Sequence, residues 1–373
     1  MTPRHRQLPR PHHPALRRGA APARALRALA LLVVALALGG CESLAFYRQA
    51  IAGQLEIWRR ERDVAAVLAD PAVPATTRAQ LALATRAREF AAAQLALPAD
   101  GGYRTYAELD RPYVVWNVFA APALALEPVQ SCFPFAGCLA YRGYFRQADA
   151  ARYADALAAR GHDVFVGGVP AYSTLGWFDD PLLSTFLHWD EADLVELLFH
   201  ELAHQKLYVK DDSAFNESYA SAVAAAGLAR WLGPRTAAAA RARAVRRARR
   251  AMTARILDAR AALATLYASA ADSADKLAGK HAILGTLGDD LATLAQASGL
   301  PVSAAPPWNN ARIAAVATYH DYAPAFAALL ALVDDDFARF HAAAARVGAL
   351  APAARAACLA RLAGATTLPV CAR

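Results

Sequence analysis

The residues with the most chemistry in them are His200-Glu201-Leu202-Ala203-His204. They lie in a run from Asp190 to Tyr208 whose apolar residues recur at helical spacing. On a helix, positions i and i+4 project from one face, so two imidazoles there can reach one metal ion. Glu201 sits beside them, placed to take a proton from a water at that metal. The chain holds ten histidines, and chance supplies this pattern in fewer than about one in a hundred chains of this composition. The rest of the helix is apolar (Leu194, Val195, Leu197, Leu198, Phe199, Leu202), so these polar groups are expected to be buried. Burying them together costs several kcal/mol unless they are paired or metal-bound. The pattern implies Zn²⁺, one ion per chain, with water activated for hydrolysis.

A catalytic zinc needs a third protein ligand and an open fourth position. The metzincin pattern requires Gly and His where this chain has Leu207 and Lys210, and is excluded. The gluzincin solution takes a glutamate from the next helix, and Asn216-Glu217-Ser218-Tyr219-Ala220 resembles its Asn-Glu-x-x-Ala element. The link from His204 to Glu217 is shorter than is usual in gluzincins. A tight turn at Lys210–Ser213 followed by a returning helix still brings Glu217 near His204, with Ser213 expected as the N-cap. The expected metal ligands are therefore His200, His204 and Glu217, and the catalytic base is Glu201. Asp212, Asp211 and the distant His320 are the next candidates for third ligand. Tyr319, His320, Tyr141 and Tyr144 are candidates to stabilise an oxyanion. Asp179 and Asp180 are candidates to hold a substrate ammonium, with a turn and helix cap as the alternative role.

These residues must be positioned by the elements around them. Apolar spacing predicts helices over 44–97, broken at Asp70–Pro74 into a hairpin-like pair, and over 147–160, 191–209, 214–232 and about 235–270. A mostly helical remainder is expected to be interrupted near Pro301–Asn310 and at Pro324. Strands are expected at 112–119 and 163–169. Residues 163–178 are a candidate edge for binding an extended peptide. The fold class is mainly α (α+β), with the H-E-x-x-H helix, a small mixed sheet and surrounding helices in the zincin manner. No repeat of 20–50 residues is present.

The net charge is +8, but residues 1–40 hold seven arginines and no acid; without them 33 basic side chains face 32 acidic ones. The basicity belongs to the leader, and nucleic-acid binding loses its support. Arginine then gives way to an apolar run, Ala28–Leu38, which suits a signal segment and is too short to span a bilayer. Leu38-Gly39-Gly40-Cys41 looks like a bacterial lipobox, so Cys41 is expected to be lipidated. The domain reading is 1–40 as lipoprotein signal peptide and 41–373 as one zinc metallopeptidase domain with helical N- and C-terminal parts. The expected location is the cell envelope, on the periplasmic side, membrane-anchored through the lipid. No later segment is apolar enough for a polytopic membrane protein. Cys132, Cys138, Cys358 and Cys371 remain. An exported context permits disulfides, and local pairing is the simplest of three connectivities, with four free thiols as the alternative.

The segment from His200 to Ala220 also resembles a bacterial family of predicted aminopeptidases, exported zinc-peptidase lipoproteins. Further stretches carry the resemblance: Trp116–Ala120, Cys132–Pro134 with Gly137-Cys138, Tyr141–Phe145, Gly167–Val169 with Ala171–Pro181, and Trp308–Ala311. The resemblance implies a zinc metallopeptidase acting on peptides, with removal of N-terminal residues as the named activity; an envelope endopeptidase and a non-catalytic zinc-containing lipoprotein scaffold are the alternative readings.

Overall fold

The structure is a computed structural model describing residues 45–98, 102–133, 137–171, 179–234, 236–301, 307–317 and 322–373. The expected signal segment, Cys41, Tyr319 and His320 lie outside the described residues. The chain divides into two units, Met1–Ile51 and Ala52–Arg373. In the first, the described residues 45–51 are helical. The second begins with helical residues 52–60 (α1). It continues β1 (Glu61–Asp63), α2 (Val64–Ala69), α3 (Ala75–Leu95), β2 (Thr105–Ala107), β3 (Val115–Pro122), β4 (Ser131–Phe133), β5 (Gly137–Leu139), β6 (Tyr141–Tyr144), α4 (Gln147–Ala158), β7 (His162–Val169), β8 (Leu182–Leu183) and α5 (Ser184–Leu187). The helices α6 (Glu191–Lys206), α7 (Ser213–Leu232), α8 (Ala237–Ala268), α9 (Ser273–Ala297), α10 (Asn310–Ala317), α11 (Ala323–Leu332), α12 (Phe337–Gly348) and α13 (Pro352–Leu362) follow. The mainly helical, α+β expectation holds.

Several local expectations are corrected. The 44–97 stretch is not one helical hairpin, because β1 interrupts it. Asp63 turns its carboxylate onto the amides of Ala65 and Ala66 and starts α2 afresh, while Glu61–Asp63 pairs with Thr105–Ala107. The expected break at Pro324 falls just ahead of it: α10 ends at Ala317, and Pro324 sits in the first turn of α11, where a missing N–H costs nothing. Ser213 is not the cap of α7. Asp212 is, accepting from the Phe215 amide at 2.9 Å while its second oxygen takes Arg355 Nε at 2.7 Å. A serine has no charge with which to pair the buried guanidinium.

The central sheet is antiparallel in the order β6–β3–β7. Strand β3 is buried from Val115 to Ala121, so it lies between two layers. Phe119 and Ala121 pack against Ala311 and Ala315 of α10, and α4 covers the opposite face. The Asn309 and Asn310 side chains tie α10 to the sheet. Asn309 donates to the Val164 carbonyl, and Asn310 Nδ2 to those of Pro122, Ala123 and Ala125. Lys280 of α9 reaches the same corner, pairing with Asp163 at 2.6 Å and donating to the Ala123 carbonyl. Disulfides join Cys132 to Cys138 and Cys358 to Cys371.

The main core collects α3, α6, α7, α11 and α12 around Phe199, Phe215, Tyr219, Phe326 and Phe340. Helix α7 approaches closely at Gly227, where an added Cβ would fall 2.6 Å from Leu95 and 2.7 Å from Phe199. Within this core, His341 Nε2 donates to the Leu95 carbonyl at 2.8 Å, so Nδ1 is the acceptor for the Tyr219 hydroxyl at 2.7 Å. Burial pushes the His341 pKa down to about 4, with the Lys206 charge adding to it. The unfolded chain therefore binds this proton more readily, and stability falls as pH drops from about 6.5 toward about 4, by up to ~3 kcal/mol. Urea denaturation across that window should show this slope in the wild-type protein and lose it in His341→Gln. Equal slopes in both would refute the assignment.

Candidate metal centre

Helix α6 starts where its sequence says it should. The Asp190 carboxylate accepts from the Asp193 amide at 2.9 Å, and Glu191 and Asp193 sit in the first turn. Two and a half turns on, His200 and His204 project from one face with their rings 4.8 Å apart and nearly perpendicular. Helix α7 returns antiparallel and delivers Glu217 from its second turn. His200 Nε2 lies 3.2 Å from Glu217 Oε2 and 3.1 Å from His204 Nε2, and the remaining edge is 3.7 Å. Ligand bonds of about 2.0–2.2 Å in tetrahedral geometry place donor atoms roughly 3.3–3.6 Å apart. The three edges bracket that value, so this donor set fits one small divalent cation. Among the described residues it is the group of metal-ligating side chains that converges in this way.

The electrostatics agree with shared positive charge at this point. Burial works against ionising Glu217, yet hydrogen bonds to His200 and His204 hold its carboxyl far below the usual range. Burial also pulls His200 down, but the hydrogen bond and charge of Glu217 outweigh it and raise the imidazole. Glu201 is not part of the donor group. It is 7% exposed, and burial lifts its pKa, with Glu217 and Asp180 adding to the effect and the two histidines opposing it. A carboxylate with raised proton affinity beside a metal-ligand set is equipped to accept a proton.

Three phenols surround this group. Tyr141 on β6 and Tyr208 after α6 are both raised by burial first and by acidic neighbours that include Glu217. Tyr103 is 4% exposed, its hydroxyl has no partner, and burial with the charges of Glu201 and Asp180 pushes it well up. All three remain protonated donors at neutral pH. Of the sequence candidates, Tyr141 stands near the centre, while Tyr144 points to the opposite face of the sheet and packs on Tyr153. Asp180 is buried with its charge felt by Glu201, and its carbonyl accepts from the Tyr103 amide; Asp179 is exposed. Asp212 is committed to its cap and to Arg355. Asp211 accepts from the Cys138 amide at 3.1 Å. Neither is a ligand. Tyr103 and Tyr208 were missed, and Tyr103 lies too far back in the chain for any local pattern to mark it.

The turn between the helices carries the precision of the site. Val209 N–H donates to Asn216 Oδ1, and Asn216 Nδ2 donates to the Val209 carbonyl, both at 2.8 Å. Asn216 is 2% exposed, so these bonds form away from water. On the far side of Glu217, the Ser218 hydroxyl accepts from the Tyr322 amide at 3.1 Å. The glutamate is thus held between two fixed neighbours. Replacing Asn216 with Ala leaves both Val209 groups unpaired and frees the first turn of α7. Metal affinity, measured by competition with a chelating dye, should weaken by about tenfold or more. Unchanged affinity would mean that the clamp does not position Glu217.

The family model described as "Putative aminopeptidase" matches residues 45–359. Neither a curated protein nor a solved structure matches the chain. The matched span takes in the central sheet, the α6–α7 hairpin and every residue of the centre just described, so the chain belongs to this putative aminopeptidase family.

Proposed function

We propose that the chain is a zinc-dependent aminopeptidase of the cell envelope, with a gluzincin-like centre. The observation that carries this reading is the convergence of His200, His204 and Glu217 at tetrahedral spacing with Glu201 buried beside them. Two imidazoles and one carboxylate suit Zn²⁺, which when bound supplies Lewis acidity toward water and a scissile carbonyl. Glu201 accepts the proton of the attacking water and returns it to the leaving amine. Its raised proton affinity matches that double task. Tyr141 and Tyr103 stay protonated and can donate hydrogen bonds to developing negative charge. Asp180, whose charge reaches Glu201 and Tyr103, is the carboxylate best placed to hold a free α-ammonium.

The partners in this reading are a peptide substrate and a membrane, and nucleic acid is not among them. Lipidation of Cys41 would anchor the chain, and export agrees with the two disulfides.

Matched peptides with free and N-acetylated termini test the reading. The wild-type protein should cleave only the free set, and a zinc chelator should stop it. Glu201→Gln should lower kcat by about 10²–10⁴ with metal content unchanged. Cleavage of both sets would make the protein an endopeptidase, and no cleavage by zinc-loaded protein would refute peptidase function.

A further inference from the structure

A cavity of 310 Å³ opens between α10 and one face of the central sheet. Phe119, Phe165, Gly167, Val169 and Ala315 line it, together with Asn117. The register explains its shape. Asn117 on the central strand lies directly opposite Gly143 on β6 and Gly167 on β7. With no side chain on either flank, the sheet has a trough with one carboxamide at its base. A Cβ added at Gly143 would come within 3.1 Å of Asn117 Oδ1, and one at Gly167 within 3.2 Å of the Phe165 ring.

Asn117 itself is the second observation. It is 6% exposed, and among the described residues its side chain has no hydrogen-bond partner. Its carboxamide atoms are not among the buried polar atoms sealed off without a partner, so the amide faces the cavity, where a ligand can take its hydrogen bonds. No charged side chain lines the cavity among the described residues. Its volume lies at the small end of ligand pockets (~300–1,000 Å³), enough for one large side chain. One wall of the cavity leads toward the metal centre. Phe119 packs on Tyr141 at 5.3 Å, and Tyr141 stands close enough to Glu217 and Glu201 to feel their charges.

We infer that this cavity is a specificity pocket that receives one apolar side chain of the peptide substrate, with the Asn117 carboxamide hydrogen-bonded to that residue's main chain. The inference rests on the peptidase reading. Gly167 and Ala315 set the room for the side chain, and Asn117 holds the backbone beside it.

The test compares peptides that lead with Ala, Leu, Phe or Lys and are otherwise identical. Their reduced-amide analogues are titrated calorimetrically into Glu201→Gln protein, so binding is read apart from hydrolysis. The wild-type protein should favour Leu and Phe. Gly167→Val, and independently Ala315→Phe, should lower kcat/KM for those two by about 10–100-fold and leave the Ala peptide nearly unchanged. Asn117→Leu should raise KM for all four peptides while leaving the melting temperature equal or higher, because no protein bond is lost. A fall in melting temperature with KM unchanged would make Asn117 structural and overturn its part. Absence of an apolar preference, or a preference that neither filling variant alters, would overturn the pocket. Analogue binding that Gly167→Val abolishes, without any hydrolysis by the wild type, would keep the pocket and refute only the peptidase reading. Neither binding nor hydrolysis would refute both.

Discussion

Everything at this centre depends on holding a carboxylate against two imidazoles in a place with little water. The donor atoms of His200, His204 and Glu217 sit within 3.7 Å of one another, and the helices that carry them share no backbone bonds. The burden falls on residues 207–212, which must reverse the chain and set the depth of α7 against α6. The turn is fastened at three points. Asn216 bonds both backbone groups of Val209, Asp212 caps α7 while pairing with the buried Arg355, and Asp211 adopts a φ of 61° to meet the Cys138 amide. Arg355 in turn donates to the carbonyls of Gly348 and Leu350 and fixes the end of α12.

The Cys132–Cys138 disulfide gains a role from this arrangement. It joins the two paired strands β4 and β5, and Gly137 at the start of β5 lies against Asp211, at a φ of +76° that a side chain would resist. A Cβ there would collide with the Asp211 carboxylate. The strand pair is therefore a brace on the α6–α7 turn, and it also leads directly into β6, which carries Tyr141. One short covalent loop supports both the metal-ligand turn and the sheet beside it.

Behind the site, two buried polar clusters are fully used. His341 is neutral and bridges Tyr219 to Leu95, linking α7, α12 and the end of α3. Lys280 and Asp163 pair at a corner where Asn310 also satisfies three carbonyls. Each of these groups has its partners. Buried polar atoms that lack a partner occur both beside the chemistry, at Tyr103 Oη, His204 Nδ1 and Gln205 Nε2, and away from it, at Glu61 Oε1, Arg111 Nε and His162 Nδ1.

The sequence by itself determined what is local. The i, i+4 spacing of His200 and His204, the cap at Asp190, the apolar face of α6 and the buried strand β3 all depend on contacts within a few residues, so pattern and chemistry were enough to read them. Glu217 was legible because a short turn leaves the next helix few places to go. Only the tertiary structure decided which residue caps α7, since that depends on Arg355 from the distant α13. The same holds for Tyr103, which reaches Glu201 through a fold that short patterns do not encode. Asn117 shows the limit most clearly. In the chain it is one polar residue in an apolar strand. Its meaning comes from the glycines placed on either side by β6 and β7, and strand register joins residues whose separation in the chain carries no signal.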